Sequence, residues 1–390
     1  MTTLATAMPS STDSARASAS RLLSLDIFRG LCVAGMILVD NPGNDDLAYG
    51  PIVHTVWNGW TPADFIFPSF MFLVGASMVL SFQTRLQRGE SRGAIFLHAV
   101  QRTLILILLG LFTNGFPLFH LAHWRIEGVL QRIALCYLAA AVLVLWTGWR
   151  GQLAALAVCL LGYWALLRYA PVPGFGIPGR DIPFMDQSRN MVAWLDRKLF
   201  PGRLYDGTRD PEGLISNIPA LGTMLIGVLA GHALRSGRPR RRTLLALSVF
   251  GILAVILGLL WNQSFPINKN LWTSSFVLFS AGLSLITLGL FYWVLEIKQW
   301  RGWWTMPILV FGMNAIAGFL ADALVWGPGY SFMAPGPAGT PVTWHEAAYA
   351  RLLALGLSPA NTSLLYSLGA VLSCWLLLWL LWRKRIFLKI

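Results

Sequence analysis

Charged side chains are scarce in this sequence. Asp, Glu, Lys and Arg make up 12% of its 390 residues, about half the share in ordinary soluble domains. With 56% hydrophobic residues and a mean hydropathy of +0.60, that scarcity excludes a water-soluble globular chain and indicates an integral membrane protein. Cysteine is sparse as well. Cys32, Cys136, Cys159 and Cys374 fall inside apolar runs without CxxC spacing, so neither a disulfide framework nor a zinc site is expected, and no metal is assigned. Acidic residues number 17 against 30 basic ones. This excess does not indicate nucleic acid, because it sits in short clusters between apolar runs, where it orients membrane helices. HExxH, GxSxG, Walker and dinucleotide motifs are missing from any credible context, which leaves metalloprotease, serine hydrolase and nucleotide-driven pump readings without support. Residues 1–20, rich in Ala, Ser and Thr, lack the apolar core of a signal peptide and are expected to form a disordered polar tail.

What is present is a series of apolar runs about 20 residues long, the length of a helix crossing a hydrocarbon core of roughly 30 Å and too long for barrel strands. Spans are expected near 25–42, 63–82, 94–113, 129–147, 151–169, 214–234, 243–262, 271–295, 304–325 and 361–382. This predicts an all-α polytopic bundle of about ten spans in one domain, 21–390, with two packed halves joined by a long loop at 170–213. Lys and Arg number 17 on the side of the N-terminal tail and 9 on the other, six of the latter in the 170–213 loop beside six acidic residues. The bias places both termini in the cytoplasm and the loops at 41–62, 113–128, 170–213, 263–270 and 326–360 outside. Gly222, Gly227 and Gly231 on one helix are read as points of close helix packing. Most of the 18 tryptophans are read as interfacial belts, with Trp57 kept as a sugar-stacking candidate.

A polar side chain inside a membrane helix is costly and marks a site by default. Toward the cytoplasmic face lie Asp26 and Arg29, three apart on the first helix, and Arg102 on the third. Asp26 and Arg29 can simply pair with each other; the functional alternative is that Arg29 or Arg102 meets a cytosolic anion such as a phosphate. Toward the outer face lie Asp40, Asn41, His54, Trp57, Asn58, Asp64, Gln131 and Arg132, with Asn217, Asn270 and Asn314 expected to join them in one pocket wall. His54 leads this set. Its ordinary pKa of about 6.5 suits proton transfer, and a nearby carboxylate such as Asp40 is expected to orient it. A lone loop histidine is usually solvated and inert, but in HTVWNGWTPADFIFP it precedes Trp57, Asn58 and Gly59 and leads straight into a helix. His98 and His232 are read as packing or interfacial, His120 and His123 as possible entrance residues, and His345 has no evident partner. The run Arg238, Arg240, Arg241 and Arg242 is read as a topology anchor, with attraction of a coenzyme's phosphates or of anionic lipid as the alternative.

The opening SLDIFRGLCVAGMILVDNPG and HTVWNGWTPADFIFPSFMFLVGASMVLS, followed by EGVLQRIALCY, DPEGLISNIPALGTMLIG, NKNLWTSSFVLFSAGLSL and FGMNAI, resembles the heparan-alpha-glucosaminide N-acetyltransferase family of transmembrane acyltransferases. The resemblance covers nearly the whole membrane portion. It implies transfer of acetyl groups from cytosolic acetyl-CoA to the amine of an amino sugar, glucosamine or a terminal glucosamine, across a bacterial inner membrane. The family's essential histidine, in H-x-x-W-N-G, corresponds to His54. Two departures stand out: the lysosomal member carries a sizeable luminal domain before its membrane part, where this chain has a short polar tail, and its asparagine is replaced by Asp40 followed by Asn41. In this reading His54 deprotonates the amine with Asp40 beside it, one of Asn58, Asn41 or Asn270 supplies the oxyanion donor, and Asp26, Arg29 and Arg102 hold the coenzyme. Asn41, Trp57, Asn58, Asp64, Arg132, Asn217, Asn270 and Asn314 would line the sugar site. Direct transfer and a transient acetyl-His54 are both open, with direct transfer favoured because it requires less of the protein. Membrane lipid surrounds the bundle, and relatives suggest a homodimer. The rival is an amino-sugar transporter in which the same groups form a midplane site.

Overall fold

The computed structural model describes residues 22–336 and 340–388; the expected N-terminal tail lies outside them. The first run of helices is α1 (Leu23–Asp40), α2 (Ala63–Gln87), α3 (Arg92–Gly115), α4 (Val129–Trp146) and α5 (Trp149–Tyr169). The long loop carries the short α6 (Met191–Leu199). The second run is α7 (Asn217–Arg235), α8 (Arg240–Trp261), α9 (Ser274–Tyr292), α10 (Thr305–Met313) and α11 (Ala315–Val325). There follow α12 (Gly327–Ser331), a hairpin of β1 (Met333–Pro335) and β2 (Pro341–Thr343), α13 (Trp344–Leu353) and α14 (Pro359–Arg383).

Among the described residues eight helices, α2 to α5, α7 to α9 and α14, are long and apolar enough to cross a membrane. Helix α1 has 18 residues, three of them charged, Asp26, Arg29 and Asp40; at 1.5 Å per residue it is about 27 Å long. The span expected at 304–325 is a bent pair of helices. It breaks at Asn314, where α10 and the α11–α12 segment diverge by 83°. The cause is local and tertiary together: Asn314 leaves helical geometry at φ −128° and ψ 44°, and its amide donates to the Ile386 carbonyl at 3.1 Å while accepting from the Leu388 N–H at 3.1 Å.

Helices α2, α4, α7 and α9 form an inner ring with half or more of their apolar windows buried, whereas α3, α5, α8 and α14 leave most of theirs facing outward, as lipid-contacting helices do. Glycines set the closest approaches, as small residues do between membrane helices. Gly227 and Gly231 of α7 lie against the Phe72 and Ala76 carbonyls of α2, Gly75 of α2 lies against the Met224 carbonyl of α7, and Gly222 faces Leu160 of α5. Helix α7 therefore sits among α2, α4 and α5. The two runs of helices contribute to one core.

The loops gather at two ends. At one end Glu296, just beyond α9, accepts from the Ser24 N–H at 3.1 Å, pairs with Arg301 at 3.2 Å and offers its carbonyl to Arg240 at 2.6 Å. At the other, the Gly59 N–H donates to the Ile267 carbonyl at 2.9 Å, Trp57 donates to the Met185 carbonyl at 3.0 Å, and Arg125 Nε donates to Asp210 at 2.7 Å.

Candidate active site

Asp64 lies in the first turn of α2, where the positive end of the helix dipole favours a carboxylate. Its Oδ2 accepts from the Thr61 N–H at 3.1 Å and from the Thr55 hydroxyl at 2.7 Å. Those bonds fold the 53–61 segment over the helix start, with Thr61 also donating to the Val53 carbonyl at 2.8 Å. Gly59 makes the reversal at φ +111°, a region that favours glycine. The outcome is that Asp64 Oδ1 stands 2.8 Å from His54 Nδ1. An ionised carboxylate only accepts, so Nδ1 carries the proton of the neutral ring and Nε2 keeps a lone pair. The Asp64 side chain is 0% exposed and that of His54 37%: the carboxylate is locked behind the ring, and the ring reaches open space.

That space is a cavity of about 330 Å³ lined by Asp40, His54, Thr55, Tyr205, Asp206, Glu212, Lys269 and Asn270, with apolar walls from Met36, Ile66, Phe67 and Phe319. It lies at the small end of the range for ligand pockets, about 300–1,000 Å³. Lys269 comes from the α8–α9 loop, which the Gly59–Ile267 bond and an Asn268 to Asn58 bond of 3.1 Å tie to the His54 loop. Its Nζ stands 3.2 Å from His54 Nε2, 3.0 Å from Nδ1 and 3.6 Å from Asp64 Oδ1. Burial pushes the Lys269 ammonium below its ordinary pKa, against the opposing pull of Asp64, Glu212 and Asp40.

Of the residues expected in one pocket wall, Asp40, His54 and Asn270 line the cavity. The carboxylate bonded to His54 is Asp64 and not Asp40, a correction to the expected pairing, and Asp64 stands behind the ring instead of lining the cavity. Asn41 is buried and donates to Asp322 at 2.7 Å and to the Ile37 carbonyl at 2.9 Å. Trp57 packs under Arg209, 4.5 Å from its ring centroid, and Asn58 is bonded to Asn268. Arg132 is buried beside Asn217 and Ser216 with its guanidinium 4.8 Å from the Trp272 centroid, so Arg132 and Asn217 brace the bundle away from the cavity wall. Asn314 belongs to the opposite end, bound to the segment after α14. There, Asp26 and Arg29 pair at 3.0 Å and Arg29 also donates to Ser77 at 2.7 Å. Arg102 lies 4.7 Å from the Tyr137 ring centroid, and its Nε has no hydrogen-bond partner among the described residues. His345, expected to lack a partner, bonds the Pro42 carbonyl at 2.8 Å.

Sequence reasoning missed Lys269, Thr55, Tyr205 and Glu212. Lys269 carried one available signal, its place between Asn268 and Asn270 in a short polar insert, NKN, directly before Leu271 and Trp272.

Beside the cavity, Arg125 bridges Asp210 and Glu212, and Glu127 is buried with neither carboxyl oxygen hydrogen-bonded among the described residues. Burial first, then the neighbouring Asp196 and Asp210, push the Glu127 carboxyl from 4.5 up to about 9. The folded chain therefore holds a proton that the unfolded chain releases across that interval, and stability falls as pH rises through it. Glu127→Gln is expected to flatten the decline of the melting temperature in detergent between about pH 5 and pH 9. A slope equal to that of the unaltered protein would show that this carboxyl titrates normally.

A multi-pass helical membrane protein in which loops at one end build a histidine–carboxylate pair into a cavity is the class these features define. The family model described as heparan-alpha-glucosaminide N-acetyltransferase, catalytic, matches residues 21–267, and the chain belongs to that family. The heparan-alpha-glucosaminide N-acetyltransferase of Mus musculus is 29% identical over 367 residues, covering 80% of this chain and 54% of the relative. That of Homo sapiens is 30% identical over 354 residues, covering 76% and 52%. The chain thus spans about half the length of the curated relatives it matches.

Proposed function

We propose that this protein transfers an acetyl group from acetyl-CoA to the amine of an amino sugar, glucosamine or a terminal glucosamine, with His54 as general base. The observation that carries the reading is the bond between His54 Nδ1 and the buried Asp64 carboxylate, which leaves a lone pair on Nε2 of a neutral ring that lines the cavity. A thioester needs no more than an unprotonated amine at its carbonyl, a base for the departing proton and a donor for the oxyanion. Of the three asparagines weighed as that donor, Asn270 lines the cavity and has only a long 3.4 Å bond from its amide to the Val56 carbonyl to give up, Asn41 spends its amide on Ile37 and Asp322, and Asn58 accepts from Asn268 outside the cavity lining. Asp40 presents a carboxylate to the cavity and suits the ammonium of an arriving amino sugar. The coenzyme enters from the opposite, cytoplasmic end, where Arg102, with its unpartnered Nε, is better placed than the Asp26-paired Arg29 to meet a phosphate. The cavity end then faces the periplasm.

Purified protein in detergent with acetyl-CoA is expected to release free thiol when glucosamine is added and not when glucose or N-acetylglucosamine is added. Sugar flux into liposomes without thiol release would establish the transporter instead, and thiol release with glucose would establish transfer to a hydroxyl.

A further inference from the structure

The proton acceptor of His54 already has an amine beside it. Lys269 Nζ lies over the imidazole, 3.0 Å from Nδ1 and 3.2 Å from Nε2, so a small swing of its side chain brings it within the reach of a general base for the proton it removes, about 2.6–3.2 Å. It is a primary amine on a flexible stem, 16% exposed, and it opens into the cavity that would receive the sugar. Lys269 is therefore the amine of this chain nearest the place of an acceptor nitrogen.

We propose that Lys269 is itself an acetyl acceptor, modified by an acyl thioester of coenzyme A when no amino sugar fills the cavity. This rests on the acetyl-transfer reading of the same site. The neutral Nζ attacks the thioester carbonyl carbon, so an N–C bond forms as the C–S bond breaks. The proton shed by nitrogen passes to His54 Nε2, and the departing thiolate takes it up to leave as the free thiol. The neutral amine is the reacting form, and burial favours it against the opposing pull of Asp64, Glu212 and Asp40. Unlike a thioester, the resulting amide has no good leaving group, so the acetyl group stays on Lys269. Standing at Nε2, it closes the site to later acceptors. Productive turnover then requires the sugar amine to displace Lys269 from the imidazole, and the bound sugar shields the lysine.

The test is peptide mass spectrometry and residual activity after incubation with acetyl-CoA alone or with glucosamine. Acetylation at Lys269 is expected without glucosamine, in excess of that at the exposed Lys198, Lys298 and Lys384, with a parallel loss of activity of tenfold or more. Glucosamine should suppress both effects, and His54→Ala should not be acetylated at Lys269. Lys269→Arg should keep whatever activity it starts with over the same incubation. If the protein acetylates glucosamine while Lys269 stays unmodified, or is modified no faster than the exposed lysines and equally in His54→Ala, the inference falls and the transfer reading stands. If glucosamine elicits no thiol release, the transfer reading itself falls.

Discussion

Replacing His54 by alanine is expected to abolish amine-dependent thiol release, and Asp64→Asn to lower kcat about a thousandfold, within the range of about 10²–10⁴ that a positioned base contributes. The asparagine variant is the more informative. Asp64 Oδ2 accepts from Thr55 and Thr61 while Oδ1 accepts from His54. An asparagine can keep its carbonyl toward the threonines, and its NH₂ then turns to Nδ1. That donor fixes the ring as the other tautomer, with the proton on Nε2 and no lone pair toward the cavity. The loop stays folded and the base is lost. KM for the sugar and the melting temperature should therefore stay close to those of the unaltered protein while kcat collapses. Asp40→Asn is the counterpart: Asp40 lines the cavity without bonding His54, so its effect should fall on KM for the amine. A kcat loss at Asp40 as large as at Asp64 would return the orienting role to Asp40.

How much of this was legible beforehand depends on the range over which each feature is determined. Uncharged runs of membrane length report themselves locally, which is why α2 to α5, α7 to α9 and α14 lie where hydropathy puts them. The break at Asn314 does so only in part, because the non-helical geometry at Asn314 is held by bonds to residues more than seventy positions later. His54 was readable from the company it keeps in its own loop. Its partner was misassigned because Asp40 closes the preceding helix, whereas the intervening segment folds over the start of α2 and brings Asp64 to the ring. Lys269 is 215 residues from His54 in sequence, and only the crossing of two loops at Gly59–Ile267 and Asn58–Asn268 makes them neighbours. In the sequence Lys269 reads as a charge flanking the spans, and its place beside His54 is set by that tertiary contact. The outer loop likewise contributed Tyr205 and Glu212 through a tertiary fold anchored by Arg125, which no spacing rule encodes.

Gly227→Val is expected to remove most folded protein from the membrane fraction. A Cβ at Gly227 would run into the Phe72 carbonyl oxygen and carbon of α2, and the reciprocal Gly75 is as close to the Met224 carbonyl of α7. Backbone atoms cannot rotate away as a side-chain tip can, so the two helices must separate, and separation costs about 3 kcal/mol or more, at or above the upper end of overpacking penalties. In lipid, where no hydrophobic force holds helices together, that close packing is a principal source of their association. The site feels the same contact, because α2 carries Asp64 at its first turn and α7 begins directly after the loop that supplies Glu212. Gly222→Ala offers the graded comparison: its Cβ would meet Leu160 side-chain atoms at 3.1 Å and 3.7 Å, which can shift, so a modest fall in melting temperature is expected. Gly369→Ala, with nothing within 4 Å, should be neutral. Detergent-solubilised yield and melting temperature measured on the three variants should follow that order, and equal behaviour of Gly227→Val and Gly369→Ala would show that α2 and α7 are not locked through these glycines.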